Sequence, residues 1–296
     1  MTTEVLVVDS HRWLPWQPTR GEPGVLGVLA VREARRILTS PAILLMAGVV
    51  VLILGLDSAT LGDNGRGLFH RAALAEMLAT VGILYFGPIT FVATHLAATS
   101  AARSGSNRLL VAAPVGQRRR DLALCLGVLV GPAALALALA MAAAAAAGAG
   151  HQAPSANWTW IVGPWTWIDV LQVPAIVLGA GILGVVVARW LPYPGSLLFG
   201  FVGMILGTIA LLSTSPTALR PWFAPWVSIQ WWSGDAAWTA HGSQAWHLAY
   251  LLGLSGFGVC AIALRQAESR RRWIALGGIA LTAVLSTGWL QLPLGA

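Results

Sequence analysis

Six histidines, eleven acids and no lysine set what chemistry this 296-residue chain could do. A phosphate-cradling G-x-x-x-x-G-K-[ST] loop depends on its lysine. All eighteen basic residues here are arginine, so the chain cannot supply one. H-E-x-x-H, C-x-x-C and G-x-S-x-G are absent as well. His11, His70, His95, His151, His241 and His247 are scattered. His241 and His247, with Asp235 upstream, have a spacing that fits no metal-ligand pattern. No catalytic residue and no metal ligand is therefore assigned. Asp57, Asp63, Glu76 and Asp235 could serve a membrane enzyme acting on a lipid-linked substrate, but such sites cluster their ionisable groups, and these four are spread over separate stretches. Ionisable side chains inside apolar runs are costly and are functional candidates by default. His95 is the clearest of them, although a satisfied structural role accounts for it better than a ligand role. Glu76 and Asp169 lie near run ends, within reach of water.

The arginines are more informative than the acids. Residues 101–121, AARSGSNRLLVAAPVGQRRRD, separate two long apolar runs and carry Arg103, Arg108, Arg118, Arg119 and Arg120. A basic loop between two spans belongs on the cytoplasmic side. Its middle, from Asn107 to Ala113, predicts a short helix bearing Leu109, Leu110 and Val111. Gly105 and Ser106 act as start signals and Pro114 stops it. A short helix held beneath a membrane domain suits docking by another protein.

The elements that must position this loop are apolar helices. The chain is 57% hydrophobic and 10% charged. Several runs reach the roughly 18 to 20 residues needed to cross a bilayer. The reading is an all-α integral membrane protein with about seven spans: Pro41 to Leu56, Ala72 to Ser100, Leu122 to Gly148, Val170 to Trp190, Ser196 to Ser213, His247 to Leu264 and Trp273 to Leu292. Gly87-Pro88 predicts a kink in the second. The alanine tract of the third predicts packing on other helices, because small residues allow close approach. Gly203-x-x-x-Gly207 in the fifth is a candidate dimer contact on the same ground. Cys125 and Cys260 lie in apolar runs and read as small hydrophobes without a disulfide.

Residues 1–24 read as a cytoplasmic arm. Residues 25–40, VLGVLAVREARRILTS, read as an amphipathic surface helix. Leu26, Ala30, Val31, Ala34, Ile37 and Leu38 fall on one side of it. Arg32, Glu33, Arg35 and Arg36 fall on the other, toward lipid headgroups. Ser40-Pro41 looks like a cap and first residue of the next helix. With the N-terminus inside, fifteen arginines fall in cytoplasmic segments and Arg66, Arg71 and Arg220 fall outside, which puts the C-terminus outside. The net charge of +7 follows these span ends, so no nucleic-acid partner is implied. Ten of the fifteen tryptophans fall between the third and fourth and between the fifth and sixth spans. Tryptophan favours the membrane interface, and residues 214–246 predict short helices re-entering the outer interface.

Three features together resemble the membrane permease subunits of type II ABC exporters. REARRILTSP leads into the first span. Gly105-Ser106, Leu109-Leu110 and Pro114-Val115-Gly116-Gln117-Arg118 are similar to that family's Gly-Thr, Leu-Leu, Pro-Val-Ser-Arg segment between the second and third spans. A long outer segment precedes the sixth span, where the family has short re-entrant helices. The resemblance covers roughly residues 25 to 265. Arg103 and Arg108 stand where the family often has a glutamate. The resemblance implies a six-span permease domain over residues 41–272, to which 273–296 add a seventh span. It implies a separate cytoplasmic ATPase, two copies per complex, that holds the ATP and magnesium, and a second permease, identical or homologous. Gly105, Ser106, Asn107, Arg108, Leu109, Leu110, Pro114 and Val115 would form the coupling helix, with Arg32, Glu33, Arg35 and Arg36 nearby. Tyr85, Phe86, Phe91, His95, Met204 and Thr208 would line a path between two permeases, suited to a hydrophobic drug, lipid or peptide. A non-transporting membrane anchor for a cytoplasmic ATPase is the remaining alternative.

Overall fold

The computed structural model describes residues 23–60, 81–103, 116–149, 167–213, 228–229, 239–240, 243–265 and 270–291. They are helical almost throughout. The order is α1 (Pro23–Leu38), α2 (Pro41–Thr60), α3 (Gly87–Arg103), α4 (Gln117–Val128), α5 (Ala134–Ala149), α6 (Trp167–Trp190), α7 (Ser196–Ser213), α8 (Gln244–Leu264) and α9 (Arg270–Leu290). Ser228–Ile229 and Thr239–Ala240 pair in parallel over two residues. Of the stretch 214–246, expected to hold short helices, the described residues are this strand pair and 243–246, where α8 begins; the rest lies outside the described set. Among the described residues, four helical stretches are long and apolar enough to cross a membrane: Gln117–Ala142, Val170–Trp190, Gln244–Leu264 and Arg270–Leu290.

Local signals explain where helices start and bend. Ser40 caps α2, accepting a hydrogen bond from the Ile43 N–H at 3.4 Å, as the Ser-Pro pair predicts. The kink expected at Gly87-Pro88 takes the form of a π-helical turn, Val81–Phe86, that feeds α3. A second π-helical turn, Leu129–Ala133, contains Pro132 and joins α4 to α5. Proline lacks an N–H and its ring crowds the preceding turn, so a locally wider turn relieves both problems.

α6 lies at the centre, packing on α3, α4, α5, α7 and α8. Paired positions give the directions. Gly82 faces Val173 and Gly184 faces Phe91, so α3 and α6 run parallel. Gly181 faces Val128 and Asp121 meets Arg189, so α4 and α6 run antiparallel. Phe91 faces Gly200 and His95 meets Ser196, so α7 opposes α3. Gly258 faces Ile182 while Trp190 Nε1 donates to the Ala261 carbonyl at 3.3 Å, so α8 parallels α6. Gly253 faces Val284, Gly277 faces Cys260 and His247 meets Gln291, so α9 opposes α8. This alternation gathers the starts of α4 and α9 with the ends of α3, α6 and α8, which are the arginine-bearing ends.

Small residues make these approaches possible. A Cβ on Gly184 would come within 2.5 Å of the Phe91 carbonyl oxygen. A Cβ on Gly200 would come within 2.5 Å of the Phe91 ring. The alanine tract packs as expected: Ala136, Ala140 and Ala144 are buried against Met46, Phe86, Val170, Val173 and Val177. Both cysteines are free.

The buried stripe of α1 is Ala30, Ala34 and Ile37, while Val31 on the same apolar side is 61% exposed. The reason is the partner surface, which consists of Gly127 and Gly131. A Cβ on Gly127 would stand 3.0 Å from the Ala34 nitrogen, and one on Gly131 would stand 3.1 Å from the Ala34 Cβ. Only a narrow row of small side chains fits there. One expectation is corrected: α2 continues through Asp57 to Thr60, beyond the expected end at Leu56.

Gly184→Ala would force a methyl into a backbone carbonyl and is expected to lower stability by about 1–3 kcal/mol. Gly203, whose Cβ would meet nothing within 4 Å, should accept alanine without loss. Thermal unfolding of the two purified variants in detergent checks the contrast.

Candidate functional site

The arginine-bearing end of the bundle is assembled by three contacts. The first is a buried ion pair. Asp121, in the first turns of α4 and 1% exposed, accepts from Arg189 Nη2 at 2.5 Å and from Arg189 Nε at 3.1 Å. Gln117 Nε2, one turn earlier on α4, donates to the same Oδ1 at 3.1 Å. A carboxylate at this depth is stable only when paired and hydrogen-bonded. The last turn of α6 is thereby tied to the first turns of α4.

The second contact ties α1 to the end of α3. Arg36 pairs with Glu33 at 3.2 Å and donates to the Ser100 hydroxyl and to the Ala97 carbonyl at 3.4 Å. Behind it, Ala30 and Ala34 sit on Gly127 and Gly131 of the α4 segment. α1 therefore touches both helices that flank residues 104–115. Arg32 and Arg35 remain exposed on its outer side. The third contact is between α4 and α9. The Arg118 guanidinium lies over the Trp273 ring, 4.8 Å from its centroid, a cation–π arrangement.

The expected site residues divide into two groups. Gly105, Ser106, Asn107, Arg108, Leu109, Leu110, Pro114 and Val115 lie outside the described residues. Arg32, Glu33, Arg35 and Arg36 are described and stand beside the helices that carry that loop. Of the path candidates, Phe91 and Met204 form one buried cluster with Ala180, and Phe86 is buried with Met46 in another, with Tyr85 packed against it. His95 is buried. Its Nε2 lies 3.4 Å from Ser196 Oγ, and its ring stacks on Phe91 at 6.1 Å. The side chain of Thr208 lies outside the described residues, as do the surroundings of Gly207. Within one chain, then, α3 and α7 close on each other through the path candidates. Gly203 faces outward among exposed Leu198, Phe199, Val202 and Leu206 of α7.

Sequence reasoning missed the partners of the charges. Asp121 was the one acid at the end of an arginine-rich loop, and Arg189 the one base near the end of its own span. Two opposite lone charges at matching depth were the available signal. It also missed Gly127-x-x-x-Gly131, the small-residue pair that is actually occupied, and the far-end pair in which His247 Nδ1 meets Gln291 Oε1 at 2.7 Å. Among the described residues no group of three His, Cys, Asp or Glu side chains could hold a metal ion.

Comparison with protein-family models, curated proteins and solved structures finds no match. The geometry alone therefore carries the functional argument.

Removing one partner of a buried ion pair strands the other charge and costs about 3–5 kcal/mol. Asp121→Leu should approach that loss, and Arg189→Met added to it should recover most of it. Unfolding midpoints of the single and double variants test this. If the losses simply add, the pair does not hold α4 to α6.

Proposed function

We propose that this chain is the membrane permease subunit of an ATP-driven ABC exporter that works with a separate cytoplasmic ATPase. The observation that carries the proposal is the support built around residues 104–115. α3 ends at Arg103 and α4 begins at Gln117. α1 packs on both, the Arg36–Ser100 contact holds the first, and the Asp121–Arg189 pair binds the second to the central helix. A loop mounted this way can pass a push into the bundle, because the elements on both sides of it are cross-linked by polar contacts. α3 and α6 pack along their lengths, so a displacement of α3 carries α6 with it.

On this reading the chain crosses the cell membrane seven times, with the N-terminus in the cytoplasm and the C-terminus outside. α1 lies along the cytoplasmic surface, and short helices within 214–246 re-enter the outer interface. Two ATPase subunits bind ATP and magnesium below a pair of permeases. Closure of the ATPase pair pushes the 105–115 helix, and the α3–α7 seam opens. That seam is lined by Phe91, His95 and Met204 with Ser196 at its inner end. An apolar, aromatic path of this kind suits a hydrophobic drug, lipid or peptide.

Purification of the chain from its native membrane in mild detergent should bring down a stoichiometric soluble subunit with a Walker A motif. Leu109→Asp with Leu110→Asp should abolish that association while the variant stays folded. Recovery of the chain alone would sink the proposal. Retained association and ATPase stimulation in the double variant would remove the coupling role from residues 105–115. An ATPase that co-purifies but drives no transport in reconstituted vesicles would favour the anchor.

A further inference from the structure

Three adjoining segments lose regular α-helical geometry at one depth. The chain leading into α3 makes a π-helical turn at Val81–Phe86, followed at once by Gly87 and Pro88. The chain between α4 and α5 makes another at Leu129–Ala133, around Pro132. α6, which packs on both turns, contains Pro174. Contacts place all three in one layer. Gly82 faces Val173, and Gly87 faces Ile176 and Ala180. Val128, just before the second π turn, faces Gly181. Ala136, just after it, is buried with Val173 and Val177. Both π turns therefore lie beside residues 173–181 of α6. At about 1.5 Å of rise per residue, this layer is about 12 Å thick.

Proline withholds an N–H from its helix and crowds the preceding turn. Prolines and π turns are where helices bend sharply. A single defect is braced by its intact neighbours, but here none of the three neighbours is intact at that level. The layer also holds an unsatisfied group. Thr90, fully buried and set against Gly181, has no hydrogen-bond partner for its hydroxyl among the described residues. Thr94 and Thr99 each donate to the carbonyl four residues earlier. For Thr90 that carbonyl belongs to Phe86, the last residue of the π turn. A stranded buried hydroxyl counts against the arrangement that strands it. The two sides of the layer are also built differently. On the arginine-bearing side, Asp121–Arg189 ties α4 to α6, and Thr94 ties α3 to α6 through the Gly181 carbonyl. On the other side, the segments meet through an apolar cluster that includes Phe86, Ala140, Val170 and Val177. We propose that this layer is a hinge shared by the α3, α4–α5 and α6 segments. Their halves beyond it swing together while the cross-linked arginine-bearing halves stay fixed. In the swung state the 81–86 turn changes its hydrogen bonding and gives the Phe86 carbonyl to the Thr90 hydroxyl. The far end of the bundle can then rearrange without breaking the polar contacts that align the helices. This inference concerns the chain by itself and does not depend on the transport reading.

The test is hydrogen–deuterium exchange of the purified full chain in phosphatidylcholine nanodiscs. Residues 250–256 of α8 serve as the reference, because Gly258 faces Ile182 and puts them at the same depth, without a proline or a π turn. Peptides covering 82–90, 130–136 and 174–180 should exchange faster than that reference by about tenfold or more, as local opening lies well below global unfolding in free energy. Pro174→Ala restores an N–H to α6 alone, yet a shared hinge makes it slow exchange in all three stretches. Pro132→Ala should do the same from the α4–α5 side. Thr90→Val removes the stranded hydroxyl at nearly constant shape, disfavours the swung state and should also slow all three. Exchange no faster than in α8 would overturn the proposal. So would slowing confined to the substituted helix in both proline variants, which would mean separate local defects. The Tm of each proline variant should hold or rise. A fall in both would show a fixed bend that the packing requires, and would equally overturn the hinge. Unchanged exchange in Thr90→Val would overturn the switch of the Thr90 hydrogen bond.

Discussion

Close approach at α6 is the constraint on which the other contacts depend. In lipid, apolar helices gain little by meeting, because acyl chains are as apolar as leucine; association rests on packing and on polar contacts between helices. α6 answers this with glycines on its surface. Gly181 admits Val128 on one side and Thr90 on another, and Gly184 admits Phe91 and Thr94. The reward for that proximity is visible. Thr94, fully buried, donates to the Gly181 carbonyl across the interface at 2.9 Å. A bulkier residue at either glycine would push α3 away and break the hydrogen bond along with the packing. The same small-residue logic seats α1 on Gly127 and Gly131, and α8 on α6 through Gly258.

Charge then fixes how these close-packed helices are aligned along their lengths. Packing of small residues leaves a helix free to slide by a turn, since one glycine resembles another. A buried carboxylate does not allow that freedom. With Asp121 bound at once by Arg189 and Gln117, a one-turn slip of α4 against α6 would leave it unpaired in an apolar setting, at a cost of several kcal/mol, about what a single broken buried pair loses. The pair thus gives a register to an interface that shape alone would define less sharply.

Much of the helical framework was legible in the sequence. Length and hydrophobicity identified the apolar helices, Ser40-Pro41 identified the start of α2, and Gly87-Pro88 marked the disturbance before α3. The alanine tract was read correctly as a packing surface because its four-residue repeat, Ala136, Ala140 and Ala144, is a property of the helix itself. What escaped was pairwise. α1 was read as a surface helix with one apolar side, yet part of that side, Ala30 and Ala34, enters a groove lined by glycines of another helix while Val31 stays exposed. Gly203-x-x-x-Gly207 and Gly127-x-x-x-Gly131 look alike in sequence. Only the fold reveals that α1 fills the second, while Gly203 faces outward. The candidate site was legible as a basic loop and not as a structure: Arg36 could be called cytoplasmic, but its hold on Ser100 depends on a chain crossing 64 residues away.

The last helix shows why polar contacts gather at the ends. α9 packs chiefly on α8, and most of its side chains face outward: Ile274, Leu276, Ile279, Leu281, Leu285 and Trp289 are exposed. Along its middle it meets α8 at Gly253–Val284 and Gly277–Cys260, the first a close approach. A helix seated chiefly on one neighbour needs fixing at its ends as well. At the arginine-bearing end that is the Arg118–Trp273 contact. At the other end His247, fully buried, meets Gln291 Oε1, and Ser243 N–H donates to the Gln291 carbonyl at 3.0 Å. Interhelical hydrogen bonds in membrane proteins contribute modestly, on the order of 0.6 kcal/mol each. Their effect here is therefore geometric more than energetic. Two pinned ends and a glycine-lined seam leave α9 one antiparallel register against α8. Ser243 ahead of α8 and Arg118 at the start of α4 are thereby joined through a single helix.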